Sequence, residues 1–101
     1  MAVSVLLSGM LKDGLVDQFT QMCTDSLDST RKSDECQNIN LTYHTKEPNK
    51  FVLTEVWDPK AQYMEYVGLR RKDGTSEKMA KMCDDGPYID IFNIIDVFTV
   101  F

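Results

Sequence analysis

Cysteine, histidine and long apolar runs are scarce in this chain of 101 residues, and each shortage excludes a class of protein. The three cysteines, Cys23, Cys36 and Cys83, form no CxxC pair, so the sequence predicts neither a disulfide framework nor a metal site. A nucleophilic Cys–His pair would have to use the single histidine, His44. No apolar run approaches the roughly 20 residues that cross a bilayer, and the start of the chain lacks the basic residues of a signal peptide. We therefore predict a cytoplasmic protein with no metal and no membrane partner.

The composition predicts one folded domain that covers residues 1–101. Apolar residues make up 43% of the chain and charged residues 27%, which is ordinary for a folded protein. The net charge of −5 repels phosphate backbones, so nucleic acid is not expected as a partner. The one basic cluster, Arg70-Arg71-Lys72, is interpreted as the solvated end of a helix, with binding of an anionic ligand as the alternative.

Hydrophobic periodicity divides the chain into strands and helices. Alternating apolar residues indicate strands, and apolar residues at three- and four-residue steps indicate helices. Asp13 and Asp58 precede the two longer helices as candidate N-caps, and Pro59 fits the first helical position. The predicted elements are a strand over 3–10, a helix between Asp13 and Ser29, strands over 38–44 and 51–57 joined by a hairpin at Pro48-Asn49, a helix after Pro59 that ends before Asp73-Gly74, a short helix over 76–83 that Gly86-Pro87 ends, and a last strand over 88–101.

This order of elements is a ferredoxin-like βαββαβ plan of the α+β class. It predicts a four-stranded antiparallel sheet with the helices on one face. The other sheet face also needs cover, and a chain this short has no further element to supply it. We therefore expect a homodimer formed through the sheet face and the C-terminal strand, in which Phe101 is covered by the partner subunit.

The stretch 51–57, FVLTEVW, carries the strongest sign of a functional site. Both of its faces are largely apolar, as in a strand covered on both sides, yet one face holds a carboxylate, Glu55, and the only tryptophan, Trp57. That combination predicts a pocket. The alternatives are structural: Trp57 as a core residue, and Glu55 as a group paired with arginine, tyrosine or backbone N–H donors.

This strand and the capped helix after it resemble the antibiotic biosynthesis monooxygenase family, whose members form dimeric α+β barrels. The resemblance covers nearly the whole chain and is carried by Phe51-Val-x-x-Glu55-x-Trp57, by Thr30-Arg31 with Cys36, and by Gly86-Pro87 leading to Phe92 and Asp96. It implies two four-stranded sheets joined between subunits, with helices outside. Members include cofactor-independent enzymes that oxidise phenols or quinols with molecular oxygen, haem-degrading enzymes, isomerases and proteins without known activity.

The resemblance implies that Trp57 and Tyr63 are the catalytic residues. Trp57 matches a tryptophan that lines the pocket in quinone-forming and haem-degrading members, and Tyr63 stands six residues later, where a quinone-forming member has a pocket tyrosine. That enzyme type has an asparagine four residues before the tryptophan, where this chain has Leu53. The histidine common on the family's second helix is replaced by Tyr66 or Val67, so we expect no haem and no other cofactor.

Six residues are predicted to bind substrate: Tyr43, His44, Leu53, Glu55, Met64 and Tyr66. The tyrosine hydroxyls would bind a phenol or carbonyl while their rings form apolar walls, unless these rings only pack and their hydroxyls reach water. Methionine suits an adaptable apolar cavity but also fills gaps in a core. His44 follows a strand beside the hairpin loop, where a surface role is the alternative to a base.

Three functions of different classes are consistent with these residues. The first is a cofactor-independent monooxygenase, or a related isomerase, acting on a small aromatic or polyketide-like substrate in a pocket between sheet and helices. The second is a non-catalytic barrel dimer that binds a small hydrophobic ligand, which Leu53 in place of asparagine favours. The third is a structural dimer with a filled core. A cavity on the order of a few hundred Å³ beside Trp57 would separate the first two from the third.

Overall fold

The computed structural model describes residues 2–31 and 35–95, in which strands and helices follow one another as predicted. The elements are β1 (Val3–Leu11), α1 (Val16–Arg31), β2 (Cys36–Tyr43), β3 (Lys50–Trp57), α2 (Lys60–Lys72), α3 (Thr75–Lys81) and β4 (Cys83–Asn93). The positions assigned to Asp96 and Phe101 lie outside the described residues. Among the helices of the described ranges, none is long and apolar enough to cross a membrane.

The four strands form one antiparallel sheet in the order β2-β3-β1-β4. This is the order of a ferredoxin-like βαββαβ fold, so the predicted fold class is confirmed. The two halves of the chain interleave, because β1 lies between β3 and β4. The central strands β1 and β3 therefore carry the residues that can reach the middle of the protein.

The core lies between the helices and one face of this sheet. Alternate side chains along β1 and β3 point to that face and are buried, because side chains in a strand repeat every two residues. Phe19 of α1 packs against Phe51 of β3 with ring centroids 4.6 Å apart. Cys23 and Leu27 follow Phe19 at four-residue steps and are also buried. Burial of a side chain such as Phe19 contributes about 2–3 kcal/mol to folding.

Two predicted helix caps differ from the structure. α1 begins at Val16, and the Asp13 carboxylate accepts a hydrogen bond of 2.6 Å from Asn49 Nδ2 in the β2–β3 hairpin loop. α2 begins at Lys60 with Pro59 at the N-cap, and Pro59 makes no side-chain cap hydrogen bond. Pro59 is thus not the first helical residue, and Asp58 lies one position before the N-cap.

β4 begins at Cys83 rather than at the predicted Tyr88. The prediction that Gly86-Pro87 ends the third helix is wrong, because α3 ends at Lys81 and Gly86 lies within β4 with φ +89°. The pairing of β4 with β1 is irregular near Met10, as at a β-bulge. A Cβ atom on Gly86 would lie 2.9 Å from the carbonyl oxygen of Ser8, so glycine permits this close approach of two strands.

The second face of the sheet is less buried than the first. Leu6 and Val56 on this face are half-buried, and Tyr88 and Phe92 of β4 are 55% and 52% exposed. The register places Phe92 beside Ser4 and Tyr88 beside Ser8, so both belong to this face. An exposed apolar surface of this kind is typical of an interaction site.

Candidate functional site

Glu55 and Trp57 lie side by side on the inner face of β3, toward the helices. Residues two apart in a strand point to the same face, and these side chains are only 5% and 2% exposed. The indole Nε1 of Trp57 donates a hydrogen bond of 3.0 Å to Oε1 of Glu55. The donor to Glu55 is thus a tryptophan, rather than the arginine, tyrosine or backbone group that the structural alternative proposed.

Burial raises the pKa of the Glu55 carboxyl to about 7, and the hydrogen bond from Trp57 acts against that rise. Removal from water disfavours the ionised carboxylate. The cross-strand neighbours of Glu55 are Val5 on β1 and Ile39 on β2, which bring no charge to the inner face. A carboxyl group whose pKa lies near neutrality is suited to general base catalysis.

Two tyrosines of α2 pack around the Trp57 indole. Ring centroids lie 5.8 Å away for Tyr63 and 4.9 Å away for Tyr66. The two tyrosines are three residues apart, so they are neighbours on the helix surface. Burial raises the pKa of the Tyr63 hydroxyl, and the negative charge of Glu55 adds to this rise. The Tyr63 hydroxyl is therefore protonated at neutral pH and available as a hydrogen-bond donor.

The Tyr66 hydroxyl joins α2 to the end of α1. It accepts hydrogen bonds from Arg70 Nε over 3.2 Å and from Thr30 Oγ1 over 3.3 Å. A second nitrogen of the Arg70 guanidinium donates to the Ser26 carbonyl oxygen over 2.9 Å and to Thr30 Oγ1 over 3.2 Å. The Arg70 guanidinium also lies 5.2 Å from the centre of the Tyr66 ring, within the range of a cation–π contact.

Two spaces adjoin these residues. The inner cavity lies between the sheet and the helices, has a volume of about 80 Å³, and has Leu53, Glu55, Tyr63, Tyr66 and Arg70 among its lining residues. The outer groove opens to solvent, has a volume of about 690 Å³, and is lined by Thr30, Trp57, Gln62, Glu65, Tyr66, Leu69, Arg70, Lys72 and Asp73. Tyr66 and Arg70 border both spaces. The larger volume beside Trp57 is therefore an open groove, and the cavity beside Glu55 is small.

Three predicted substrate-binding residues lie away from the inner cavity. Tyr43 is at the opposite end of the sheet from Trp57, where its hydroxyl is 2.7 Å from Thr20 Oγ1. His44 is exposed, and its Nδ1 accepts hydrogen bonds from the backbone N–H groups of residues 46 and 47 in the hairpin loop. Met64 is 49% exposed on α2. The structure thus brings Leu53, Glu55, Trp57, Tyr63 and Tyr66 together and leaves the other three predicted residues outside this group.

Several solved structures have the same fold as this chain. The Mycobacterium tuberculosis protein Rv0793 matches with a TM-score of 0.84 at 14% sequence identity, over 98% of this chain and 100% of that protein. A candidate antibiotic biosynthesis monooxygenase from Deinococcus radiodurans matches with a TM-score of 0.81 at 16% identity, over 100% and 99% of the two chains. A further antibiotic biosynthesis monooxygenase matches with a TM-score of 0.81 at 15% identity, over 93% and 99%. No protein-family model matches the chain, and neither does any curated protein sequence.

This chain has the antibiotic biosynthesis monooxygenase fold. The shared fold supports the resemblance to this family that Phe51, Glu55 and Trp57 indicate in the sequence. Within this fold, the departures from the family pattern on β3 and α2 border the inner cavity. Leu53 stands in place of asparagine, and Tyr66 and Val67, the two candidates for the position of the helix-two histidine, also line the cavity, so it is lined differently from the pattern that the resemblance implies.

Arg70 and Thr30 belong to the site, although neither is among the residues selected from the sequence. The interpretation of the basic cluster as a solvated helix end holds for Arg71 and Lys72, which are exposed, but Arg70 is half-buried. The four-residue spacing from Tyr66 to Arg70 on a helix is the sequence signal that would place Arg70 beside Tyr66. The contact with Thr30 joins residues forty positions apart and needs the folded chain.

The cysteines of the described residues are buried. Cys23, Cys36 and Cys83 form no disulfide with one another. Cys23 borders the inner cavity, but burial raises the pKa of its thiol to about 11, so it is a neutral thiol rather than a nucleophilic thiolate. Over residues 2–31 and 35–95, no group of three or more candidate side chains could hold a metal ion.

Proposed function

We propose that this protein is a cofactor-independent monooxygenase of the antibiotic biosynthesis type, acting on a small phenolic or polyketide-like aromatic substrate between the sheet and the helices. The observation that carries the proposal is the buried Glu55–Trp57 pair, in which a carboxyl group with a pKa of about 7 borders an apolar cavity. Groups whose pKa values are shifted by burial cluster at functional sites.

Glu55 acts as the general base in this proposal. Its carboxylate takes a proton from an acidic C–H or O–H group of the substrate, which leaves an electron-rich carbanion or phenolate. That anion reduces molecular oxygen and forms a C–O bond to it, and the proton held by Glu55 goes to the resulting peroxide. Loss of water then leaves a carbonyl group, so a ring CH₂ and one O₂ give one C=O and one H₂O.

The aromatic residues orient the substrate and exclude water. Trp57 holds the Glu55 carboxylate at one oxygen, which leaves the other oxygen for the substrate. Tyr63 lies in ring contact with Trp57, and its protonated hydroxyl can donate to the substrate oxygen on which negative charge collects. Holding the reacting groups together in a site without water is how such a protein accelerates the step.

Oxygen uptake in the presence of 1,8-dihydroxyanthrone tests this function. The wild-type protein should consume oxygen well above the uncatalysed rate, and Glu55→Gln should lower kcat by about 100-fold or more, as expected for loss of a general base. Glu47→Gln is the matched control, because Glu47 is exposed in the hairpin loop far from the cavity. A wild-type rate equal to the buffer rate across a panel of anthrones and quinols would contradict the proposal.

We also propose a homodimer formed through the second face of the sheet. The half-buried Leu6 and Val56 and the exposed Tyr88 and Phe92 support it, because they give this face an apolar surface in a single copy of the chain. A second copy would place the same surface against itself across a two-fold axis.

A non-catalytic barrel that binds a hydrophobic ligand is the second candidate function. Leu53 favours it, because an apolar side chain stands on the cavity wall where a polar one would orient a reacting substrate. For either function a wall of the inner cavity has to move, because its volume of about 80 Å³ is too small for an aromatic ligand. This candidate predicts that an anthrone raises the melting temperature and is recovered unchanged.

A further inference from the structure

We propose that the outer groove and the inner cavity are two halves of one binding site for planar polycyclic phenols, and that the Tyr66 side chain is the movable wall between them. The inference deepens the proposed function and rests on it for the identity of the ligand. It assigns binding residues, Leu69, Gln62 and Arg70, that lie outside the Glu55–Trp57 pair.

The volumes require a movable wall. The inner cavity measures about 80 Å³, whereas an engineered apolar protein cavity that binds one benzene molecule measures about 150 Å³. A ring that brings its hydroxyl to Glu55 must therefore extend beyond the cavity. The outer groove of about 690 Å³ shares Tyr66 and Arg70 with the cavity and is ample for two or three fused rings.

Tyr66 is the side chain that divides the two spaces. It borders both of them and is half-buried. Its hydroxyl accepts two long hydrogen bonds: 3.2 Å from Arg70 Nε is at the end of the normal range for N–H···O, and 3.3 Å from Thr30 Oγ1 is beyond the usual range for O–H···O. Rotation of Tyr66 about its side-chain bonds breaks these two hydrogen bonds, and with them the ring contact with Trp57 and the cation–π contact with Arg70.

The walls of the groove match a flat aromatic ligand. Trp57 and Leu69 supply apolar surface, and Gln62 supplies an amide at the rim. Arg70 and Lys72 are balanced by Glu65 and Asp73, so the groove has no excess of positive charge and does not favour a phosphate or sulfate ester. A neutral ligand with few hydroxyl or carbonyl groups fits this balance better than an anion does.

A ligand oxygen can replace the Tyr66 hydroxyl as the acceptor of a hydrogen bond from Arg70 when the wall opens. Arg70 Nε donates to the Tyr66 hydroxyl in the closed arrangement, and a ligand carbonyl or hydroxyl oxygen entering the same space would accept that hydrogen bond instead. The exchange leaves no buried donor without a partner, which would otherwise oppose binding. Asp73 and the Ser26 carbonyl hold the rest of the guanidinium in place.

The first test uses Trp57 as an internal probe, because it is the only tryptophan in the chain. Tyr66→Phe retains the ring against Trp57 but removes both hydroxyl contacts, so the wall should open more often. Acrylamide quenching of Trp57 fluorescence should rise by roughly twofold in its Stern–Volmer constant, because the open conformation becomes more populated. Tyr43→Phe is the matched control, because it also removes a hydroxyl contact but at the opposite end of the sheet from Trp57, and it should quench like the wild type. Equal quenching in all three proteins would overturn the inference.

The second test measures ligand binding without turnover. The probe is 1,8-dihydroxyanthraquinone, which is already oxidised, and its binding is followed by Trp57 fluorescence corrected for dye absorbance. Leu69→Arg places a charged side chain in the groove and should raise Kd by about tenfold. Ala80→Arg adds the same side chain at an exposed position of α3 outside the groove and should leave Kd unchanged.

The outcomes separate this inference from the proposed function. If the probe binds and Leu69→Arg weakens its binding while 1,8-dihydroxyanthrone causes no oxygen uptake, the shared binding site is supported and the proposed monooxygenase function is refuted. If oxygen uptake occurs and Leu69→Arg has the same KM as Ala80→Arg, the activity stands and the shared site is overturned. Equal Kd values for Leu69→Arg and Ala80→Arg likewise overturn it.

Discussion

The indole of Trp57 and the carboxyl group of Glu55 are joined by a hydrogen bond of 3.0 Å inside the protein, two positions apart on one face of β3. Each residue explains the burial of the other. Trp57 finds an acceptor for its N–H, and Glu55 finds a donor that offsets part of its loss of water. The alternation of β3 thus places Glu55, a proton acceptor with a pKa near neutrality, against apolar surface.

The first prediction concerns the pH dependence of stability. The pKa of Glu55 is raised from 4.5 in the unfolded chain to about 7 in the folded protein, so the folded state binds more protons between these values. The free energy of unfolding should therefore fall as pH rises from about 4.5 to 7, by at most about 3 kcal/mol from this group, and then level off. Urea unfolding of wild type and Glu55→Gln at several pH values measures the difference.

Glu55→Gln is a neutral isostere that can still accept from Trp57, so its stability should lack this decline. The difference between the two proteins should grow from pH 4.5 to pH 7 in favour of the variant. Parallel pH curves for the two proteins would show that Glu55 is not responsible.

The second prediction concerns the hydrogen bond itself. Trp57→Phe removes the N–H donor and leaves an ionised Glu55 with less compensation, so the free energy of unfolding at pH 8 should fall by about 2–4 kcal/mol, including lost packing. In the background of Glu55→Gln the same change should cost about 1–2 kcal/mol less. A double-mutant cycle measured by urea unfolding gives this coupling, and a coupling of zero would contradict the geometry.

The third prediction concerns the close approach of β1 and β4. Gly86→Ala puts a Cβ atom 2.9 Å from the Ser8 carbonyl oxygen at a positive φ, and we expect a loss of about 2–4 kcal/mol. Gly74→Ala is the matched control, because it has a similar φ of +86° with no atom within 4 Å of the added Cβ. It should cost only about 1 kcal/mol. Equal thermal shifts for the two variants would count against the crowding at Gly86.

The fourth prediction concerns assembly. The wild-type protein should have twice the chain mass of 11.6 kDa in light scattering after size exclusion. Leu6→Glu places a charge on the second sheet face and should produce the mass of a single chain, because an unpaired charge is not tolerated in an apolar interface. Lys46→Glu in the exposed hairpin loop should leave the mass unchanged. A wild-type mass of a single chain would refute the proposed dimer.

The sequence predicts the strands and helices well where periodicity is strong. The two-residue alternation of 51–57 and the apolar spacing from Phe19 to Leu27 predicted β3 and α1, and with the chain order they led to the observed sheet. The start of β4 was missed because Asp84, Asp85, Gly86 and Pro87 have low strand propensity. Pairing with β1 overrides that local preference.

The site is predictable only in part. Glu55, Trp57 and Leu53 share a face by simple alternation, and Tyr63 and Tyr66 follow from the helix after them. The half-buried Arg70 and its contact with Thr30 depend on how α1 and α2 cross, which a single sequence does not specify. The same limit applies to Tyr43, because its distance from Trp57 follows from the hairpin register.

The pH–rate profile of oxygen uptake with 1,8-dihydroxyanthrone, corrected for autoxidation, tests the central claim most directly. If Glu55 is the general base, wild-type kcat/KM should rise with pH through an apparent pKa of about 7 and then level off, and Glu55→Gln should lose both the rate and this ionisation. A folded Glu55→Gln protein with the wild-type rate and profile would contradict the account.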